Sequence, residues 1–86
     1  MPTISEFFGI LILMYYSDHS PPHFHARYGN EEVLIQINPL GVLKGRLPPR
    51  ALSLVMEWAQ IYQDQLIKDW NYAANNKKLH KIPPLQ

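Results

Sequence analysis

A small α+β fold is what this sequence predicts: an antiparallel sheet of three to four strands with one long C-terminal helix packed across it. Two patterns carry the prediction. Before residue 45 the apolar residues come in short runs of strand length, separated by Gly, Pro, Asn and Ser. After residue 50 they recur three and four apart for more than twenty residues, the period of a helix with one buried face. The length, 86 residues, allows a single domain over residues 1–86 with a small core.

The elements follow in chain order. "TISEFFG" reads equally as a capped helical turn or as an extended lead-in, because Thr3 or Ser5 can cap a turn. "GILILMYY" (residues 9–16) is apolar on both alternating faces, as a strand covered on both sides must be. "SDHSPP" breaks it. "HFHARY" then alternates, with Phe24, Ala26 and Tyr28 assigned to the core and His23, His25 and Arg27 to the opposite face. Gly29-Asn30 makes a two-residue turn into "EEVLIQIN". That turn sets a register in which Arg27 faces Glu32, His25 faces Leu34 and His23 faces Gln36. "NPLG" turns again into a short strand, "VLKG". The spacing predicts one helix over residues 47–76, with proline in its first turn and a stripe through Ala51, Leu54, Val55, Trp58, Ile61, Tyr62, Gln65, Leu66 and Asp69. "KIPPLQ" closes the chain as an extended tail.

Composition narrows the classes of function. With no cysteine, disulfides and thiolate metal sites are excluded. A domain of this size without disulfides fits a reducing cytoplasm, and a cytoplasmic location is expected. "FFGILILMYY" is ten uncharged residues, half of what a bilayer span requires, and it lacks the basic flank of a secretory signal, so no membrane role is expected. The net charge is +1, but it is unevenly spread. Residues 1–43 hold Arg27 against Glu6, Asp18, Glu31 and Glu32, whereas Lys44, Arg46 and Arg50 form one basic cluster and "KKLHK" near the end forms another. No Gly-rich phosphate loop, nucleophile elbow or carboxylate pair is visible, and Ser17, Ser20 and Ser53 suit turns and a helix better than covalent catalysis.

The segment "DHSPPHFHARYG" concentrates three of the four histidines in seven residues. His23 and His25 are two apart on a strand, so their rings leave the same face roughly 6–7 Å apart at the backbone. They can converge on a divalent ion such as zinc, with His19 or Asp18 from the loop as third ligand and a position left for water. The metal set is thus His19, His23 and His25, with Asp18 as the alternative donor. A metal-free reading makes His23, His25 and Arg27 the base, acid and cation of an RNA-cleaving site, with Lys44, Arg46 or Arg50 assisting. A third reading is nucleic-acid binding without catalysis, in which Lys44, Arg46 and Arg50 meet phosphate at the helix start.

"MPTISEFFGI", "MYYSDHSPPHFHARYG", "VLKGRLPPRAL", "VMEWA" and "KIPPL" together resemble the short prokaryotic proteins of domain-of-unknown-function family 4160 (DUF4160) across nearly the whole chain. The resemblance implies no activity. It implies single small domains often encoded beside another small family, domain of unknown function 2442, an arrangement similar to toxin–antitoxin pairs. From it comes the favoured expectation: a protein that works with a small partner encoded nearby, or as a homo-oligomer, because a core this small gains from association.

Overall fold

A computed structural model describes residues 3–86 and contains five strands and two helices: β1 (Thr3–Phe7), β2 (Ile10–Leu13), β3 (His23–Tyr28), β4 (Glu31–Ile37), β5 (Leu40–Gly45), α1 (Pro49–Ile61) and α2 (Gln63–Ala74). The strands form one antiparallel meander in chain order. The class is therefore α+β, with more strands than three to four and with the long helix in two pieces. The extra strand is the ambiguous "TISEF", which pairs with β2 through a turn at Phe8 and Gly9. Both turn residues have positive φ, 51° and 78°, and only the second is a glycine. The predicted central strand is shorter than the run 9–16, ending at Leu13.

The β3–β4 hairpin has the register that its turn implies: Arg27 lies opposite Glu32, His25 opposite Leu34 and His23 opposite Gln36. Ile10, Ile12, Phe24, Ala26, Val33, Ile35 and Ile37 are wholly buried, and strand alternation places them on one face of the sheet. The helices complete this core with Ala51, Val55, Trp58, Ala59, Leu66 and Ala73. Trp58 is its centre. Its ring meets Phe7 at 5.4 Å, Phe24 at 5.7 Å and Tyr62 at 6.0 Å, and its indole N–H donates to the Pro83 carbonyl at 2.8 Å. A buried tryptophan so placed contributes about 3–5 kcal/mol against truncation.

The helix divides at Tyr62, whose φ of −109° and ψ of 26° lie off helical values. Its N–H still donates to Trp58 and its carbonyl still accepts from Leu66, so the division is a bend rather than a stop. The Gln63 side-chain amide donates to the Ile37 carbonyl at the end of β4, 2.7 Å away. The stripe shifts accordingly. Ile61, assigned to it, is 59% exposed, and Gln65 is exposed, while Ala59 and Ala73 are buried instead.

The tail is extended, and it is also packed. Leu79 and Ile82 are buried. The Ile82 N–H donates to the Ile4 carbonyl at 2.8 Å, and the Lys81 ammonium donates to the Thr3 carbonyl at 2.7 Å. The His80 N–H donates to Asp69, a carboxylate that is only 1% exposed. Among the described residues, no helix is long and apolar enough to cross a membrane.

Candidate metal centre

The turn between β2 and β3 bends tightly at Ser17, which has a φ of 57°, and ends where the Pro22 carbonyl accepts the Ile37 N–H at 3.0 Å. This brings Asp18 back over the start of β3. The His19 N–H donates to Asp18 Oδ1 at 2.8 Å, leaving Oδ2 to face the two rings of β3. His23 Nε2 lies 3.0 Å from that oxygen and His25 Nε2 lies 3.3 Å from it. One donor atom from each of Asp18, His23 and His25 falls within 4.8 Å of the others.

The far nitrogens decide which nitrogen of each ring carries hydrogen. His23 Nδ1 is 2.8 Å from the Pro21 carbonyl, which can only accept, so Nδ1 carries hydrogen. His25 Nδ1 is 2.8 Å from Glu32 Oε2, and the same assignment follows. With both Nδ1 atoms donating, a neutral ring of either residue turns a bare lone pair toward the Asp18 carboxylate. That arrangement is repulsive unless positive charge enters it, either as a proton on each ring or as a cation between them. Burial alone would push the Asp18 carboxyl up, but the His19 N–H, the His25 hydrogen bond and the charge of His23 together hold it below its usual value.

Aromatic contacts hold the rings in place. Tyr15 meets His25 edge-on at 4.5 Å, and Trp70 of α2 packs on His23 at 5.2 Å. His23 is consequently 5% exposed, so the predicted open-face position holds for the strand alternation but not for this ring, which lies under α2. Tyr28, assigned to the core, is 40% exposed at the hairpin end.

The remaining sequence candidates lie apart. His19 is exposed and contributes its backbone N–H, while its side chain is not among the converging groups. Arg27 Nη2 is 3.6 Å from Glu32 Oε1, so Glu32 bridges His25 and Arg27. Lys44 lies opposite Leu34, itself opposite His25, two strand spacings or about 10 Å away. Arg46 is exposed and pairs with Glu31 at 3.1 Å. Arg50 lines a cavity with Phe8 and Tyr28, at the end of β3 remote from His23. The basic segment 44–50 therefore does not surround the histidines. The hairpin register by itself pairs Glu32 only with Arg27. The same register places it diagonal to His25, which was the available signal for its second contact.

Gly45 supports this end of the hairpin. Its φ is 86°, and a side chain there would collide with the Glu32 carbonyl oxygen. The Arg46 N–H donates to that same oxygen at 3.1 Å. The backbone beneath the Glu32 carboxylate is thus held from β5.

The family model described as Domain of unknown function (DUF4160) matches residues 9–71, a span that contains Asp18, His23, His25, Glu32 and Trp70. Comparison with curated proteins and with solved structures gave no match.

Proposed function

Since the chain belongs to the DUF4160 family, whose description assigns no activity, we propose from the site itself that this is a divalent-metal-binding domain. The ligands are Asp18 and the Nε2 atoms of His23 and His25. One observation carries the reading: both rings are tied at Nδ1 to acceptors, and both Nε2 atoms converge on one carboxylate oxygen. Metal-binding histidines are held in this way, with the distal N–H on a carbonyl or carboxylate that orients the ring and raises its basicity. A divalent ion would also balance Asp18 and Glu32, the two carboxylates that contact the rings.

Two imidazoles and one carboxylate suit zinc or another first-row ion and leave coordination positions for water or a substrate. Such an ion supplies Lewis acidity and a more acidic bound water. The chain's own contribution is orientation: Pro21 and Glu32 aim the rings, and Tyr15 and Trp70 restrict their rotation. This reading stands ahead of metal-free acid–base catalysis by His23, His25 and Arg27, because the Glu32 carboxylate engages Arg27 on the Nδ1 side of His25.

Calorimetric titration of metal-free protein with zinc or nickel checks it. One ion per chain is expected, with binding lost in Asp18→Asn and His25→Ala and retained in His19→Ala. Binding that survives both Asp18→Asn and His25→Ala would overturn the proposal.

A second reading, partnership with a neighbouring gene product in a toxin–antitoxin-like pair, is supported by β5. It is an edge strand that exposes Val42 and Leu43, and edge strands recruit partners. Co-expression with that neighbour should yield a co-purifying complex; a monomer that ignores it counts against the idea.

A further inference from the structure

The basic run "KKLHK" plays no part in the histidine centre, yet the fold gathers it around a cavity. The strap formed by residues 77–83 crosses the start of β1, and a concave space of about 250 Å³ opens between it and the end of β2. Thr3, Tyr16, Lys78, His80 and Lys81 line that space, and none of its lining residues is acidic. Among the described residues, no carboxylate forms an ion pair with Lys78, Lys81 or the His80 ring.

The wall is built rather than loose. Leu79 and Ile82 are buried on either side of His80 and Lys81, with Lys78 directly before Leu79, and the backbone is held at His80 by Asp69 and at Ile82 by Ile4. The Lys81 ammonium is drawn in against the Thr3 carbonyl, and the His80 ring stands edge-on to Tyr72 at 4.9 Å. Two ammonium groups held around one concavity repel one another, the His80 ring adds a further hydrogen-bonding group, and a concave basic wall focuses an attractive field on anions.

We propose that this strap cavity is an anion site that receives a phosphate group. Its volume of about 250 Å³ lies below the roughly 300–1,000 Å³ of pockets for drug-sized ligands, which suits a small group. The clustered cations match the near-dianionic charge of a phosphomonoester. Lysine acts here as a point charge, and the Tyr16 and Thr3 hydroxyls add neutral donors. The site is distinct from the histidine centre: Thr3 and His25 both pair with Leu13 in register, which separates the two by two strand spacings.

NMR titration of the full chain with inorganic phosphate tests the proposal. Saturable shifts confined to the strap and to Tyr16 are expected, weakening as chloride is raised. Lys78→Gln and His80→Gln, both at exposed positions, should each weaken binding by about tenfold, while Lys68→Gln, exposed and outside the cavity lining, leaves it unchanged. Parallel titrations with a nucleoside monophosphate and a short single-stranded RNA identify the source of the group; in each arm the Lys78→Gln loss must recur for the proposal to stand. Shifts that never saturate, or that fall equally in Lys68→Gln, would overturn it.

Discussion

Asp18 and Asp69 both meet a histidine, and the two meetings differ in kind. Asp18 is partly exposed and faces two imidazole rings with one oxygen. Asp69 is fully buried, accepts only the backbone N–H of His80 through Oδ1, and leaves Oδ2 without a partner. The first carboxyl is held below its ordinary value by donors and positive charge, and the second is pushed above it by burial. The contrast separates a group arranged for charge from one arranged for chain position. At Asp18 the protein keeps a negative charge beside ligands that can accept a cation. At Asp69 it tolerates a poorly solvated carboxyl that pins the extended tail at His80.

The sharpest way to test this division is to disturb the support of one centre and watch the other. Glu32→Gln removes the carboxylate behind His25 while keeping its shape, and should lower metal affinity by about 10–100-fold; calorimetry reads the loss, and thermal stability without metal should hardly move. Asp69→Ala has the converse profile. It leaves the buried His80 contact without an acceptor and should destabilise the chain by about 1–3 kcal/mol in urea unfolding, with metal affinity unchanged. A loss of metal binding in Asp69→Ala would break the comparison, since it would make the strap part of the centre.

The smallest effect is one of sign against pH. The folded Asp69 binds its proton more tightly than the unfolded chain, so its contribution is present at low pH and is lost as pH rises from the ordinary value of 3.8 through the higher folded value. Asp18 is the reverse: its contribution is present above 3.8 and is lost as pH falls through its lower folded value. Stability curves of Asp69→Asn and Asp18→Asn, each subtracted from the parent, should therefore slope in opposite directions with pH. Parallel slopes would mean that the two environments do not differ as described.

What was legible in the sequence follows the range of the interactions. The β3–β4 register could be read because a two-residue turn and the Arg27–Glu32 pair lie within six residues. The convergence of His23 and His25 was legible for the same reason, as strand geometry is local. The choice of Asp18 over His19 was not, because a bend at Ser17 and the His19 N–H decide which side chain turns inward. The division at Tyr62 was hidden by an unbroken helical period. Its accompanying contact joins Gln63 to Ile37, 26 residues away. Asp69 lies in the stripe as a polar residue, and its contact, the His80 N–H, lies on a tail that carries no periodic signal. Trp70 over His23 is likewise a contact between distant elements.

The strap has a kinetic meaning as well. Every strand pairs with its neighbour in sequence, so the sheet can zip through short loops, and folds rich in local contacts form quickly. The Ile82–Ile4 and Lys81–Thr3 contacts close almost the whole chain into a ring, and closure of a long loop carries the larger entropic penalty. Docking of the tail is thus a contact of far longer sequence separation than any strand pairing of the sheet. It also holds Thr3 and Ile4 against Lys81 and Ile82, so the first strand is fixed by the tail on one side and by β2 on the other.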